Sequence, residues 1–360
     1  MQELIVVNAR FLTQPITGTQ RFAIEISKQL KKLYPNIIFV SNDKIIHHDI
    51  ANVLNVTIYG KIKVGIIWEQ VELPIFLRKH RNPLLINLCN LAPIFYPNNL
   101  VALLDLSFHH HPEWFSKTFA ALYNTLVPLV VKNAKRLITI SEYSRQDICK
   151  TYNIPNNKIG LVYPKIPDFF INYKIENSKS LPYKYILAVS SLDPRKNFAG
   201  LIKAYKIAKL DQIKLVIVGS EHKVFANNNI KKIVEGDPNI IFTGYVDDLE
   251  LARLYSNAIL FAYPTFFEGF GIPPLEAMIC GCPTLVSKTT SLPEVCGNAS
   301  VYVDPYDIND ISSGLLKIVT DLQLRTNLIK AGYQRVNFFN NESSFSTLLN
   351  IIKDLNNDDY

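Results

Sequence analysis

Apolar residues recur along this chain in two rhythms that alternate. Short, nearly unbroken apolar runs at 4–7, 37–41, 84–88, 100–104 and 136–140 have the length of strands buried on both faces. Between them lie stretches with a period near four. In 21–33, Phe22, Ile26 and Leu30 fall near one face, and 117–133 is a longer stretch of this kind. Segments 63–68 and 73–79 continue the alternation, and 8–20 reads as a loop containing Gly18. The stretch 163–182 is rich in Pro, Lys, Asn and Ser and has no apolar periodicity, so it reads as a linker. The alternation then restarts. Strands are predicted at 185–190, 214–219, 240–242, 258–262, 284–287 and 301–303. Helices are predicted at 195–210 and 249–256, with a helical tail at 308–320, 322–337 and 343–355. Such alternation implies parallel sheets covered on both faces, an α/β fold. The expected division is a doubly wound domain over 1–165, a linker over 166–182, a second such domain over 183–340 and a terminal helix over 341–360. Two such domains joined by a linker are expected to make a cleft, and ligands of doubly wound folds sit beyond the carboxyl ends of the strands.

The 360 residues are 48% hydrophobic and 19% charged, enough apolar material for two cores. The formal net charge of +7 is uneven. Residues 1–170 hold 19 Lys and Arg against 11 Asp and Glu, a net of +8, and residues 171–360 hold 19 against 20, a net of −1. A basic first half suits an anionic membrane, a polyanion or an acidic acceptor, and lysines on solvated faces are the plainer reading. The clusters Lys28/Lys31/Lys32, Arg78/Lys79/Arg81 and Lys132/Lys135/Arg136 are separate and carry no RNA-binding motif, which argues against nucleic acid. The five cysteines have no zinc spacing and read as reduced buried thiols of a cytoplasmic protein. No run of eighteen apolar residues occurs, so the expected membrane contact is peripheral.

The chemistry concentrates in 263–285, YPTFFEGFGIPPLEAMICGCPTL. A strand runs into a turn with Glu268, Gly269 and Gly271; Pro273 and Pro274 then suit the first turn of a helix that Gly281 stops. A glycine turn before a helix N-terminus favours an anion, phosphate above all. Glu268 and Glu276 flank it, and a carboxylate repels phosphate. These acids therefore suit sugar hydroxyls, two of which one carboxylate can accept. The combination describes a nucleotide-sugar site, against the alternative of a surface loop leading into a buried helix.

EGFGIPPLEAM, with two glutamates separated by seven residues, resembles the signature of retaining glycosyltransferases of family 4. The resemblance covers nearly the whole chain, most strongly 185–305. It implies two Rossmann-like domains facing a cleft (the GT-B architecture), with the last helix crossing back to the first domain. By the same resemblance Phe270, Ile272 and Leu275 join Glu268, Gly269, Gly271 and Glu276 at the donor. In Ser191-Leu192-Asp193-Pro194-Arg195-Lys196-Asn197, Asp193 looks like an N-cap and Pro194 like the first helical residue. Arg195 and Lys196 then sit in a helix first turn, where cations oppose the dipole unless an anion binds there. In the family, the lysine matching Lys196 binds the donor diphosphate. A second arginine of many members is replaced here by Ser190-Ser191, and Arg195 is the candidate substitute.

Gly219-Ser220-Glu221 and Gly244-Tyr245-Val246 resemble family loops lining the base pocket, or are tight turns. The Pro293-Glu294 pair reads as a turn and helix start, more structural than catalytic. Gly18, in PITGTQR, resembles the first glycine loop, which approaches the diphosphate-sugar. Members usually carry His-Asp where this chain has Leu104-Asp105. Asp105 persists, His109 is the candidate stand-in for the histidine, and Leu104 offers the sugar an apolar surface. The run His109-His110-His111 suggests a metal, but adjacent residues converge poorly on one ion, so none is expected. Ser141-Glu142-Tyr143-Ser144 matches a turn bordering the acceptor.

The resemblance implies transfer of a hexose from a nucleotide-diphosphate sugar to a glycan or lipid-linked acceptor, with retention and without metal or other cofactor. Lys196, Arg195 and the amides near Gly271 would stabilise the leaving diphosphate. Glu268 would hold sugar hydroxyls, and Glu276 the ribose. The SxxDPRKN and PPLEAM stretches look most like those of mannosyl- and rhamnosyltransferases of surface polysaccharide assembly, a resemblance that implies GDP-mannose as the first expectation. The alternatives are an epimerase or hydrolase of nucleotide-sugars, which would release product without acceptor, and a silent sugar-nucleotide-binding subunit, against which the intact Glu268, Glu276 and Lys196 argue. No strand is followed by GxGxxG, which disfavours a dehydrogenase.

Overall fold

The computed structural model describes residues 4–173, 181–190, 193–219, 233–234, 236–341 and 344–357. The chain divides into two units, Met1–Lys165 with Ser343–Tyr360, and Ile166–Glu342. In the first unit the strands are β1 (Ile5–Asn8), β2 (Ile38–Ser41), β3 (Thr57–Ile58), β4 (Leu84–Asn87), β5 (Asn99–Ala102), β6 (Arg136–Thr139) and β7 (Ile159–Leu161). They pair in parallel in the order β3-β2-β1-β4-β5-β6-β7. In the second unit β8 (Tyr185–Val189), β9 (Lys214–Val218), β10 (Ile240–Gly244), β11 (Leu260–Tyr263), β12 (Thr284–Ser287) and β13 (Ser300–Val303) pair in parallel in the order β10-β9-β8-β11-β12-β13. Each sheet is the doubly wound α/β plan that the alternating runs predict. The winding reverses at β1/β4 in one unit and at β8/β11 in the other, and these are the places where such folds hold ligands.

Helices cover the sheets because their apolar faces match the buried strand surfaces. In the second unit Phe198, Leu201, Ile202 and Tyr205 of helix Phe198–Ile207 join Ile186, Leu215 and Ile217 in one core, with Ile311 and Leu315 of helix Ile308–Thr320. In the first unit Trp68, Leu73, Phe76 and Leu77 pack on Val6, Val40 and Leu85, and the Trp68 indole N–H donates to the Tyr59 carbonyl at 2.7 Å.

Several boundaries differ from the sequence reading. Segments 63–68 and 73–79 are one helix, Gly65–Lys79. It is apolar on two sides, which hides a helical period. The loop expected over 8–20 contains a 3-10 turn, Arg10–Thr13, and the helix begins at Gly18, where the Thr17 amide donates to Gln20 Oε1 at 3.1 Å. Helix His48–Leu54 and strand β3 are too short, at seven and two residues, to stand out. The expected linker holds a short helix, Asp168–Asn172, because Phe170 is buried edge-on to Tyr255 at 6.2 Å. Helix Leu322–Asn341 belongs to the second unit and helix Ser344–Asn357 to the first. The latter lies so close to β7 that a Cβ on Gly160 would come within 2.2 Å of Ile351 Cδ1. The five cysteines are unpaired thiols; Cys280, Cys282 and Cys296 are buried as expected, whereas Cys89 and Cys149 are only half-buried, and burial raises Cys89, Cys280 and Cys296 to about 12. Among the described residues no helix is long and apolar enough to cross a membrane.

Candidate functional site

Two turns meet beyond β8 and β11. On one side Asp193 accepts from the Arg195 amide at 3.1 Å and starts a 3-10 turn, Pro194–Lys196. Asn197 follows at φ 56, a left-handed conformation that asparagine tolerates. Its side-chain amide donates to the carbonyls of Pro264 at 3.0 Å and Pro305 at 2.7 Å. On the other side the Phe266 amide donates to the Arg195 carbonyl at 2.8 Å. These bonds stitch the β8 turn to the β11 turn and bring Lys196 to Glu268. The two form an ion pair. Lys196 Nζ also donates to the Tyr263 hydroxyl at 2.9 Å, and that hydroxyl donates to Glu268 Oε1 at 3.0 Å. Lys196 and Glu268 are each only 8% exposed. Burial pulls the Lys196 pKa below its ordinary value although Glu268 opposes this, and burial followed by Glu268 pushes Tyr263 well above its own.

The expectation for Arg195 and Lys196 is thereby corrected. They stand in a separate turn ahead of helix Phe198–Ile207, not in its first turn. What makes a buried cation tenable at Lys196 is the Glu268 carboxylate. Arg195 lies 3.2 Å from Asp193 Oδ2.

Gly271 precedes helix Ile272–Ile279 at φ 109, and a Cβ there would come within 2.6 Å of Leu292 Cδ2. Ser291 Oγ donates to the carbonyls of Glu268 at 2.9 Å and Phe270 at 2.8 Å, and the Glu268 amide donates to Thr290 Oγ1 at 3.2 Å. The Glu268–Gly271 turn is therefore held from behind by 290–292, and Leu292 begins the short helix that carries Pro293 and Glu294. Thr290 and Ser291 are supports that the sequence reading misses; the only signal for them is their place before the Leu-Pro-Glu helix start. Replacing Gly271 by Ala would combine a strained φ with overlap. We expect a loss of about 1–3 kcal/mol, read as an earlier urea midpoint by circular dichroism.

Glu276 is buried in the same helix and accepts from the Tyr255 hydroxyl at 3.3 Å, while burial and then Glu276 raise the Tyr255 pKa. Phe270 packs edge-on to Phe339 at 5.4 Å and Leu275 is fully buried, so both side chains serve the core and only their backbone is available to a donor. Gly269 lies within the turn and Ile272 is half-buried at the helix start. The Gly219 amide donates to the Gly244 carbonyl at 3.0 Å, joining the ends of β9 and β10, and Tyr245 beside them is largely exposed. Ser191, Ser220 and Glu221 lie outside the described residues.

The first-domain residues lie on the segments that follow β1, β5 and β6. Gly18 is the first residue of an exposed helix start, and a Cβ there would meet nothing within 4 Å, so the protein itself does not require glycine. Asp105 Oδ1 accepts from the Ser107 amide at 2.9 Å. His109 is exposed, with Nδ1 2.7 Å from Asn124 Oδ1. Leu104 lies two residues past β5 with its side chain buried, so the apolar surface expected of it is inside the domain. His110 and His111 reach Asp147 and Glu113 separately, and among the described residues no three His, Cys, Asp or Glu converge as a metal site. Ser141 is a helix N-cap that accepts from the Ser144 amide at 3.0 Å.

A second polar cluster, which no motif announces, lies where β1 and β4 end. Arg10 Nε donates to Glu69 Oε2 at 2.8 Å, and Asn8 Nδ2 donates to Glu69 Oε2 at 2.8 Å and to Asn87 Oδ1 at 3.1 Å. All four are buried, and Glu69 Oε1 and Asn87 Nδ2 are unbonded; Asn8, Arg10 and Glu69 line a small pocket with Gln14 and Cys89. Burial pulls the Arg10 pKa down, but Glu69, with Tyr123 and Cys89, outweighs it and the net shift is upward. Both switch points thus hold a buried cation–carboxylate pair.

Residues 170–335 match the family model described as glycosyl transferases group 1. O-antigen chain mannosyltransferase B of Escherichia coli is 28% identical, over 94% of this chain and 96% of that protein. The serotype-specific mannosyltransferase WbdA of Escherichia coli is 33% identical over 53% of this chain, which spans about a quarter of that protein's length (25%). The crystal structure of WaaG, a glycosyltransferase involved in lipopolysaccharide biosynthesis, superposes with a TM-score of 0.69 at 15% identity, covering 96% of this chain and 97% of that one. The two doubly wound units are those of the GT-B fold.

Proposed function

We propose that this chain, whose residues 170–335 form a group 1 glycosyltransferase domain, transfers mannose from GDP-mannose to a glycan or lipid-linked acceptor with retention of configuration, in surface polysaccharide assembly. The observation that carries the reading is the Lys196–Tyr263–Glu268 cluster at the β8/β11 switch point, beside the Gly271 turn and Glu276. The mannosyl donor and the polysaccharide acceptor rest on the likeness to the O-antigen mannosyltransferase.

In this reading the donor diphosphate takes the place of the Glu268 carboxylate at Lys196. Lys196, with Arg195 and the turn before helix Ile272–Ile279, then meets the negative charge that grows on the leaving oxygen. Glu268, released from the lysine, accepts hydroxyls of the sugar as positive character develops at its anomeric carbon. In this reading the acceptor oxygen bonds the anomeric carbon on the face that the diphosphate leaves as its bond to that carbon breaks, and the departing phosphate oxygen takes the acceptor's proton, which gives retention. Glu276, held by Tyr255, accepts the ribose hydroxyls. None of these roles calls for a metal.

Glu276→Gln removes the charged acceptor. Hydrogen bonds to charged groups are worth about 1.5–3 kcal/mol, so we expect the GDP-mannose Kd to rise about tenfold or more by calorimetry while kcat changes less. GDP-mannose should raise the wild-type melting temperature more than UDP-glucose does. An unmoved Kd in Glu276→Gln would take the ribose away from this residue, and a response to UDP-glucose alone would overturn the GDP assignment.

A further inference from the structure

Helix Gly65–Lys79 carries apolar residues on two sides. One side is core: Trp68, Leu73, Phe76 and Leu77 are buried. On the other, Val64, Ile67, Val71 and Ile75 are 58%, 50%, 46% and 41% exposed. Their spacing of three, four and four residues places them in one row along the helix, about 20 Å long with its ends. A helix that is apolar all round is normally enclosed, yet here one row faces solvent. The loop after β4 adds a further exposed apolar residue beside this helix. Gln70 Nε2 donates to the Ala92 carbonyl and Gln70 Oε1 accepts from the Ile94 amide, both at 2.9 Å. These bonds pin the loop to the middle of the helix, and Phe95, the next residue, is 90% exposed.

Charge surrounds the row with a single sign. Lys61 and Lys63 are exposed before it, and Arg78, Lys79 and Arg81 after it. Between residues 50 and 104 the only acids are Glu69 and Glu72. Glu69 is buried against Arg10. Glu72 is folded back onto the preceding turn, accepting from the Lys61 amide at 2.8 and 3.0 Å and from the Ile62 amide at 2.9 Å. Glu69 is neutralised inside the unit, so Glu72, half-buried, is the one carboxylate of this stretch set against the five flanking cations.

We propose that this face, Val64, Ile67, Val71 and Ile75 with Phe95 and its basic flanks, docks the first unit on an anionic lipid bilayer. The aliphatic row and the phenyl ring enter the boundary between headgroups and acyl chains. The lysines and arginines bury their stems and leave their charges among the phosphates. A second copy of this chain is a poorer occupant, because a two-fold contact would set the five cations of one copy against those of the other. The docking gives the proposed transfer a place next to a lipid-linked acceptor and so rests on that reading for its purpose, but its physics does not depend on the donor.

The test is co-sedimentation with vesicles of phosphatidylcholine alone and mixed with phosphatidylglycerol. We expect binding to the mixed vesicles that weakens as salt rises, and little to phosphatidylcholine alone. Ile67→Glu/Val71→Glu, at exposed positions, should lower the partition coefficient at least about tenfold at low salt, with circular dichroism and GDP-mannose calorimetry unchanged. Phe95→Trp should show a blue-shifted difference emission on the mixed vesicles. Equal partition of wild type and the double variant, absence of wild-type binding at low salt, or an unshifted Phe95→Trp emission would each overturn the proposal. So would a wild-type dimer in sedimentation that the double variant abolishes without any vesicle binding. Loss of GDP-mannose binding by wild type would strike the activity and leave the vesicle result standing.

Discussion

Lys196→Ala should lower kcat by about a hundredfold or more, the loss that follows removal of one preorganised group facing developing charge. The expectation rests on where the lysine is held. Its ammonium is buried at the β8/β11 switch point, bonded to Tyr263 and paired with Glu268. Water cannot replace it easily when a diphosphate arrives, so the deletion leaves charge unmet in a poorly solvated place. Its proton is held less firmly than an ordinary lysine's, because burial disfavours the charged form more than Glu268 favours it. Activity requires the charged form. The rate should therefore fall as pH rises through a value below the ordinary lysine range, and Lys196→Arg, which does not titrate there, should remove that alkaline limb. A hundredfold loss shared equally by kcat and kcat/KM identifies a contact made in the transition state. Near-normal turnover in Lys196→Ala, or an alkaline limb that persists in Lys196→Arg, would place the diphosphate elsewhere.

The two sheets are legible in the sequence because strands buried on both faces read as continuous apolar runs, and a glycine turn between such a run and a Pro-Pro helix start is a local signal. Helix Gly65–Lys79 is not legible as one element for the opposite reason: apolar residues on two sides erase its period, and the face that erases it is the exposed row. The separate turn at Lys196 depends on Asn197 bonding to Pro264 and Pro305, partners that sequence distance conceals. The pairing of Lys196 with Glu268 is likewise a property of the β8/β11 crossing, and that of Tyr255 with Glu276 comes from the packing of helices Asp248–Asn257 and Ile272–Ile279, which precede and follow β11 in the chain. Individual residue types announce chemistry, but which two meet is decided by strand order. Arg10 and Glu69 show this most plainly, since neither belongs to a motif and the β1/β4 crossing alone brings them to Asn8 and Asn87.

Lys196→Met and Glu268→Gln should each destabilise the second unit by about 3–5 kcal/mol, and the double variant should be more stable than either single one. Each single change leaves a buried group facing an absent partner, which is the costly half of a buried ion pair; removing both leaves a neutral contact. Tyr263 sharpens the asymmetry. In Lys196→Met its hydroxyl remains bonded to an unneutralised Glu268, whereas in Glu268→Gln the lysine keeps the Tyr263 oxygen and loses its counter-charge. For the double variant to recover, the coupling between the two sites must exceed either single loss, so it should be about 3–5 kcal/mol or more, above the usual range for residues in one network. The chain supplies its own control. Its two tryptophans, Trp68 and Trp114, both lie in the first unit, so tryptophan emission in urea follows that unit. Hydrogen exchange of the β8 and β11 amides follows the other unit. The tryptophan transition should not move in any of the three variants, while protection of β8 and β11 falls in the single variants and returns in the double. If the losses of the single variants simply add in the double variant, Lys196 and Glu268 do not support one another. A diphosphate would then not need to open their pair to enter.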